Sequence, residues 1–232
     1  MSMNKPIAEG AITSSEMRSG GLALYVSRNG GSFKALLYDP GAFLSRYMQL
    51  ANEVIDIEKS EGVRITKDRR FEILGDALWE VEVDSFTLGM LDGEWDGTCG
   101  AFEIELAAAE KGYGPFMYDV AAGIFGWIMS SRTQVSLDAR GVWVWMYNHP
   151  EAYTKRELSC KNSDNTIPRK DRAPLNYSYS PRANKKARTK SLVNNHNRFF
   201  KRLHSMGFEM GDLRDLLDEH TQELFAAKYP VD

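Results

Sequence analysis

Residues 101–119 read Ala101-Phe102-Glu103-Ile104-Glu105-Leu106-Ala107-Ala108-Ala109-Glu110-Lys111-Gly112-Tyr113-Gly114-Pro115-Phe116-Met117-Tyr118-Asp119. Phe102, Ile104 and Leu106 alternate with Glu103 and Glu105, the period of a half-buried strand. Gly112 and Gly114 interrupt the pattern, and Pro115 suits a first helical turn, where its missing N–H costs nothing. Phe116, Met117, Val120, Ala121, Ile124 and Ile128 then recur on one side of a helix. The stretch is therefore strand, glycine loop, helix. Glycines let the backbone approach a bound group closely. The loop offers N–H groups at a helix N-terminus, where the peptide dipoles favour an anion such as a pyrophosphate. A tight strand-to-helix turn that binds nothing needs the same two glycines, and spacing alone does not separate the two readings.

Outward from this stretch, residues 1–20 read as a flexible leader. Leu22–Val26 and Phe33–Tyr38 read as strands joined through Asn29-Gly30-Gly31, which tolerates the positive φ of a tight hairpin. Leu44, Tyr47, Met48, Ala51, Val54 and Ile55 mark one face of a helix, with Gly62 as its stop. Residues 71–91 alternate weakly and predict one or two strands, for example Leu78–Val83. Asp92–Gly97 is turn-rich. A short strand is expected over Trp127–Ser131. A second helix is expected over 137–147, with Ala139, Val142, Trp143 and Met146 inward. From Pro150 to Lys190 the pattern predicts a long basic loop. Two closing helices follow, about 191–206 and about 211–227, the latter aligning Leu213, Leu216, Leu217, His220 and Leu224.

The resulting expectation is an α/β (α+β) fold: a mixed, largely antiparallel sheet flanked by helices, with a C-terminal helical appendage. Its segments are a leader at 1–20, a domain at 21–149, a basic loop at 150–190 and C-terminal helices at 191–232. At 232 residues and 43% hydrophobic content a sizeable core can form. No run of eighteen apolar residues predicts a membrane span, and the polar start lacks a signal-peptide pattern. Cys99 and Cys160 stand far apart in sequence, which predicts neither a disulfide framework nor a zinc site and implies a reducing, cytoplasmic setting. His149, His196, His204 and His220 show no ligand spacing, so no metal is expected. Neither a serine nucleophile elbow nor a P-loop is present.

Net charge is −3, unevenly spread. Residues 155–202 hold fourteen Lys and Arg against three acids, leaving the remainder strongly acidic. Such a segment faces an external anion or rests on the protein's own acidic body. Asn176-Tyr177-Ser178-Tyr179 beside Arg182, Lys185, Lys186, Arg188 and Lys190 interleaves aromatics with bases. That predicts weak, sequence-independent nucleic-acid binding, or a segment simply pinned by its two tyrosines.

The loop resembles a known element. Strand, Q/R-x-x-G-x-G/A loop and helix form the acyl-CoA pyrophosphate site of the GNAT acetyltransferase superfamily. Ala109-Glu110-Lys111-Gly112-Tyr113-Gly114 has both glycines, with Ala109 where Gln or Arg is usual. The run from Gly112 through Asp119 to Met129-Ser130-Ser131-Arg132, and then Val135-Ser136-Leu137-Asp138-Ala139-Arg140-Gly141-Val142-Trp143, is similar to a GNAT-like family found largely in bacteriophage genomes. The similarity covers about 100–148. It implies acetyl-CoA as co-substrate, held at Lys111, Gly112, Tyr113, Gly114 and Pro115 and splayed between the strands at 101–107 and 127–131. It also implies acyl transfer to an amine-bearing substrate, a protein among the candidates, in a host cytoplasm. The alternative is a GNAT-like binding or virion-associated protein without turnover.

In many members a helix tyrosine protonates the leaving thiolate. Here Trp143 takes that place, and an indole N–H does not ionise usefully. Tyr147, one turn later, could replace it, or is an ordinary packed tyrosine. Glu103 and Glu105 share one strand face. Either could accept the amine proton if burial raises its pKa, or both could simply face solvent.

Overall fold

Two strands, Ala23–Asn29 (β1) and Ser32–Tyr38 (β2), pair antiparallel in register from Ala23↔Tyr38 to Asn29↔Ser32. Gly30, at φ +59°, supplies the left-handed residue that the two-residue turn requires. The structure is a computed structural model. It describes residues 21–82, 86–110, 112–160, 167–168 and 172–205, without the side chains of 183–187 and 205. The expected leader and the expected helix at 211–227 lie outside the described residues.

Helix α1 (Pro40–Ser60) starts where the Asp39 carboxylate accepts from the Gly41 N–H at 2.7 Å and the Ala42 N–H at 3.2 Å. Its inward stripe is Phe43, Tyr47, Ala51 and Ile55, while Met48 and Val54 lie more than a third exposed. The strand expected near Leu78–Val83 is corrected by helix α2 (Lys67–Trp79), which the Thr66 hydroxyl caps through the Arg69 N–H. Its buried residues are Ile73, Ala77 and Leu78. Gly75 and the exposed Phe71 and Trp79 blur that stripe in the sequence.

Strand β3 (Thr87–Asp96) runs through the stretch expected as a turn. The turn itself is 97–100, leading into β4 (Ala101–Ala109). Helix α3 (Gly114–Phe125), β5 (Ile128–Ser130) and helix α4 (Leu137–Asn148) follow as expected. The Ser136 hydroxyl caps α4 through the Ala139 N–H.

The expected loop at 150–190 is corrected. It holds β6 (Tyr153–Glu157), a 3-10 turn (Ala173–Asn176) and β7 (Tyr177–Pro181), and helix α5 (Ala183–Ser205) begins within it. In β6 only Tyr153 is buried, as befits an outer strand with a charged surface. The alternation Tyr177-Ser178-Tyr179-Ser180 is itself a strand period, hidden in the sequence by the flanking bases.

The seven strands form one sheet in the order β1-β2-β3-β4-β5-β7-β6. Every pairing is antiparallel except β4 with β5. With the five helices among the described residues this is a mixed α/β fold compatible with a GNAT-like α+β architecture. One sheet face packs Leu24, Phe33, Leu91 and Ile104 against Phe116 and Val120 of α3 and Trp143 of α4. The other packs Tyr25, Leu36 and Met90 against α1, α2 and Phe199, Phe200 and Leu203 of α5. Leu192 of α5 belongs to the first core, and Asn195 donates to the Leu22 carbonyl at 2.9 Å. Residues 183–205 thus pack on both cores, and the rest of the expected C-terminal helical appendage lies outside the described residues. Among the described residues no helix is long and apolar enough to cross a membrane.

Candidate functional site

Strands β4 and β5 pair over Phe102↔Ile128, Glu103↔Met129 and Ile104↔Ser130, and the pairing stops there. β4 continues to Ala109 against β3 alone. In that pairing Asp92 faces Leu106 and Gly93 faces Ile104, so Glu105 is the extra residue of a bulge. A bulge bends its strand and increases twist, and it sits where β5 ends. Beyond that point the β4 edge from Glu105 to Ala109 has no strand partner on the β5 side among the described residues.

The glycine loop follows the end of β4. Gly112 has φ +99°, which an L side chain resists, and a β-carbon there would meet nothing within 4 Å. Gly114 needs no such φ, and it too has open space where a β-carbon would lie. Tyr113 at the cap position of α3 makes no side-chain capping bond. Tyr113, Gly114 and Pro115 thus surround an uncapped helix start, while Lys111 lies outside the described residues. The Arg188 guanidinium, on α5, lies 5.2 Å from the ring centroid of Phe116 in the first turn of α3. A cationic group thus packs beside the first turn of α3, on the buried Phe116 ring. Sequence reading assigned Arg188 to nucleic acid; only the α3–α5 packing puts it here.

Phe102 and Ile104 pack into the core under α3 and α4, so Glu103 points to the opposite face. Glu105, two residues on, lies near it, within reach of the charges of Glu94, Asp92 and Glu103. Burial pushes the Glu105 carboxyl up from its ordinary range, and the charges of Glu94, Asp92 and Glu103 add to the rise. Burial also raises Asp92, with Lys34 opposing. Glu103 accepts from the Arg132 backbone N–H at 2.7 Å. The Arg132 side chain donates to the Ser130 carbonyl (2.7 Å), the Ser130 hydroxyl (2.6 Å) and the Leu175 carbonyl (2.7 Å). It thereby fastens the end of β5 to the 3-10 turn.

Tyr147 is placed elsewhere. It packs against the core of the α3–α4 face. Its ring meets Tyr177 at 5.4 Å, and the Lys155 ammonium lies 3.5 Å from its centroid. The sheet separates it from Glu103 and Glu105, so the three candidate catalytic residues do not form one cluster. Trp143 is buried between Tyr118 and Tyr179. Of the nucleic-acid candidates, Lys190 is exposed, Arg188 is half-buried over Phe116, and the side chains of Lys185 and Lys186 are outside the described residues. Arg156, Arg172 and Arg182 donate to the carbonyls of Gly100, Ile167 and Pro150, which uses part of the basic segment internally.

The cysteines are not isolated, as their 61-residue separation had implied: Cys99 and Cys160 form a disulfide. Comparison with protein-family models, curated proteins and solved structures finds no match to this chain.

Proposed function

We propose that this protein is an acyl-CoA-dependent N-acyltransferase that uses the cleft between β4 and β5. The observation that carries this reading is the parallel β4–β5 pair that ends at Ser130 while β4 runs on to Ala109 and leads through the glycine loop into α3. The open space beside Gly112 and Gly114 fits a group that would sit against the backbone. The residues that would hold its pyrophosphate are Gly112, Tyr113, Gly114 and Pro115, with Arg188 standing in for the Gln or Arg absent at position 109. The β4 backbone from Glu105 to Ala109 would take the pantetheine arm by strand-like hydrogen bonds. Bound acyl-CoA would supply the thioester acyl group.

The chain's own chemistry is proton handling at an Oε atom of Glu105. An amine acceptor enters the cleft as an ammonium and must lose a proton before its lone pair can attack. A carboxylate whose affinity for protons is raised by burial and by like charges accepts that proton better than an ordinary one. Glu103, held by the Arg132 N–H, stays fixed beside it and contributes negative charge that attracts the ammonium.

A second reading, a GNAT-like binding or virion-associated protein without turnover, is favoured by one observation. Trp143 fills the usual place of the acid, and Tyr147 lies across the sheet. Calorimetric titration of acetyl-CoA, followed by thiol-release assays with small amines, polyamines and lysine-bearing proteins, separates the readings. Binding with turnover supports the enzyme, and binding alone supports the second reading. Absence of binding removes both.

A further inference from the structure

Cys99, Ala101, Met129 and Leu158 form a small core of their own, flanked by Trp127 and Cys160 and separate from the two main cores. Cys99 lies in the turn between β3 and β4. Cys160 follows β6. The two segments are stitched at several points: Arg156 donates to the Gly100 carbonyl at 2.6 Å, Ser159 to the Thr98 carbonyl at 3.4 Å, and the disulfide joins them. Arg132 donates through Nη1 to the Cys160 carbonyl at 3.3 Å. The same guanidinium holds Ser130 and Leu175, and the same residue's N–H holds Glu103. A continuous path therefore runs from the sulfur pair through Arg132 to the Glu103 carboxylate on β4.

We propose that Cys99 and Cys160 are a thiol–disulfide site whose oxidation state sets the position of Arg132 and, through it, of Glu103. Arg132 is a positioning residue in this scheme. The site stands on geometry alone, whereas its consequence for acyl transfer rests on the function proposed above.

Three features make the pair responsive rather than inert. Cys160 is partly exposed while Cys99 is 7% exposed, so an incoming disulfide reaches Cys160 first. The surrounding core is small, so opening it does not require the main cores to open. The contacts that depend on Cys160 are single hydrogen bonds at the end of a three-residue strand. Oxidation proceeds by exchange. The Cys160 thiolate attacks a sulfur of glutathione disulfide, forming a mixed disulfide and releasing one glutathione thiolate. The Cys99 thiolate then attacks the Cys160 sulfur and releases the second. Two protein thiols are oxidised, one glutathione disulfide is reduced to two thiols, and two protons balance the charges.

The full chain is equilibrated in glutathione buffers of graded reduced-to-oxidised ratio, and its thiols are counted by alkylation and mass spectrometry. One two-electron transition is expected, with glutathione trapped on Cys160 when Cys99→Ser is used. Nitrogen-15 spectra of the oxidised and reduced wild type should show the Arg132 amide shifting. Hydrogen exchange at the Leu158 amide, which donates to the Asn176 carbonyl at 2.9 Å, should accelerate at least tenfold on reduction. Cys160→Ser should reproduce the reduced spectrum. Arg132→Lys should erase the coupling, leaving the Glu103 carboxyl resonance indifferent to oxidation state.

Three outcomes overturn the proposal: no disulfide at any ratio, an Arg132 amide identical in both states, or one zinc ion per reduced chain that blocks oxidation. The third would make Asp96, Cys99 and Cys160, whose ligand atoms lie within 4.8 Å of one another, a metal site instead. If acetyl-CoA binds neither form while the Arg132 shift persists, the function proposed above fails and the thiol–disulfide site stands.

Discussion

Replacing the two loop glycines one at a time distinguishes a fold requirement from a ligand requirement. Gly112 sits at φ +99° with nothing near its missing β-carbon. Gly112→Ala therefore pays only for backbone conformation, about 1–2 kcal/mol of stability. Gly114 is the first residue of α3, is not left-handed and has equal space. Alanine there relieves backbone entropy and should leave stability unchanged or raise it by up to about 1 kcal/mol. Among the described residues nothing then explains a glycine at 114, whereas the backbone-hugging pyrophosphate proposed above would. Gly114→Val should weaken acetyl-CoA binding at least tenfold, about 1.4 kcal/mol, while urea unfolding shows an intact fold. Urea midpoints and calorimetry on wild type, Gly112→Ala, Gly114→Ala and Gly114→Val decide the matter. The reasoning is refuted if Gly114→Ala destabilises as much as Gly112→Ala, or if Gly114→Val binds acetyl-CoA as tightly as wild type.

Arg188→Ala should weaken acetyl-CoA binding by about tenfold, roughly 1.4 kcal/mol, and flatten the salt dependence of binding; an unchanged affinity removes Arg188 from the site. The raised Glu105 carboxyl favours its neutral form in the folded state, so its contribution to stability is present at low pH and is lost as pH rises through its raised value. Glu105→Gln should therefore melt higher than wild type at pH 7, with the gain fading as pH falls toward the ordinary carboxylate range near 4. A melting difference that is the same at every pH contradicts the assignment. Tyr147→Phe should leave turnover within about threefold of wild type, since the sheet parts Tyr147 from the carboxylates, and a loss of about a hundredfold would return it to the mechanism. In Gly93→Ala the new β-carbon would stand 2.1 Å from the Glu103 carbonyl oxygen. β4 must shift to admit it, at a cost of about 3 kcal/mol or more, read as a lowered denaturation midpoint.

Local signals were legible where one element carries its own pattern. The hairpin at Gly30, the alternation of β4, the glycine loop and the spacing of α3 and α4 each follow from neighbours a few residues apart. The same locality explains the errors. Around Phe71–Trp79 two of the six apolar residues, Phe71 and Trp79, face outward, so the helical stripe is diluted and the alternation is accidental. In β6 and β7 the flanking lysines and arginines mask a strand period, because an outer strand needs only one buried face.

The sequence alone determined the mixed α/β class, the strand–loop–helix unit at 101–125 and the carboxylate pair on one face of β4, because each depends on backbone periods of two or 3.6 residues. Only the tertiary structure decided that Arg188 lies over the first turn of α3, that Tyr147 stands across the sheet from Glu105, and that Cys99 meets Cys160. Those placements relate residues 42 to 72 positions apart in the chain. They are set by how whole elements pack and in what order strands join the sheet, and no short-range period in a sequence carries that information.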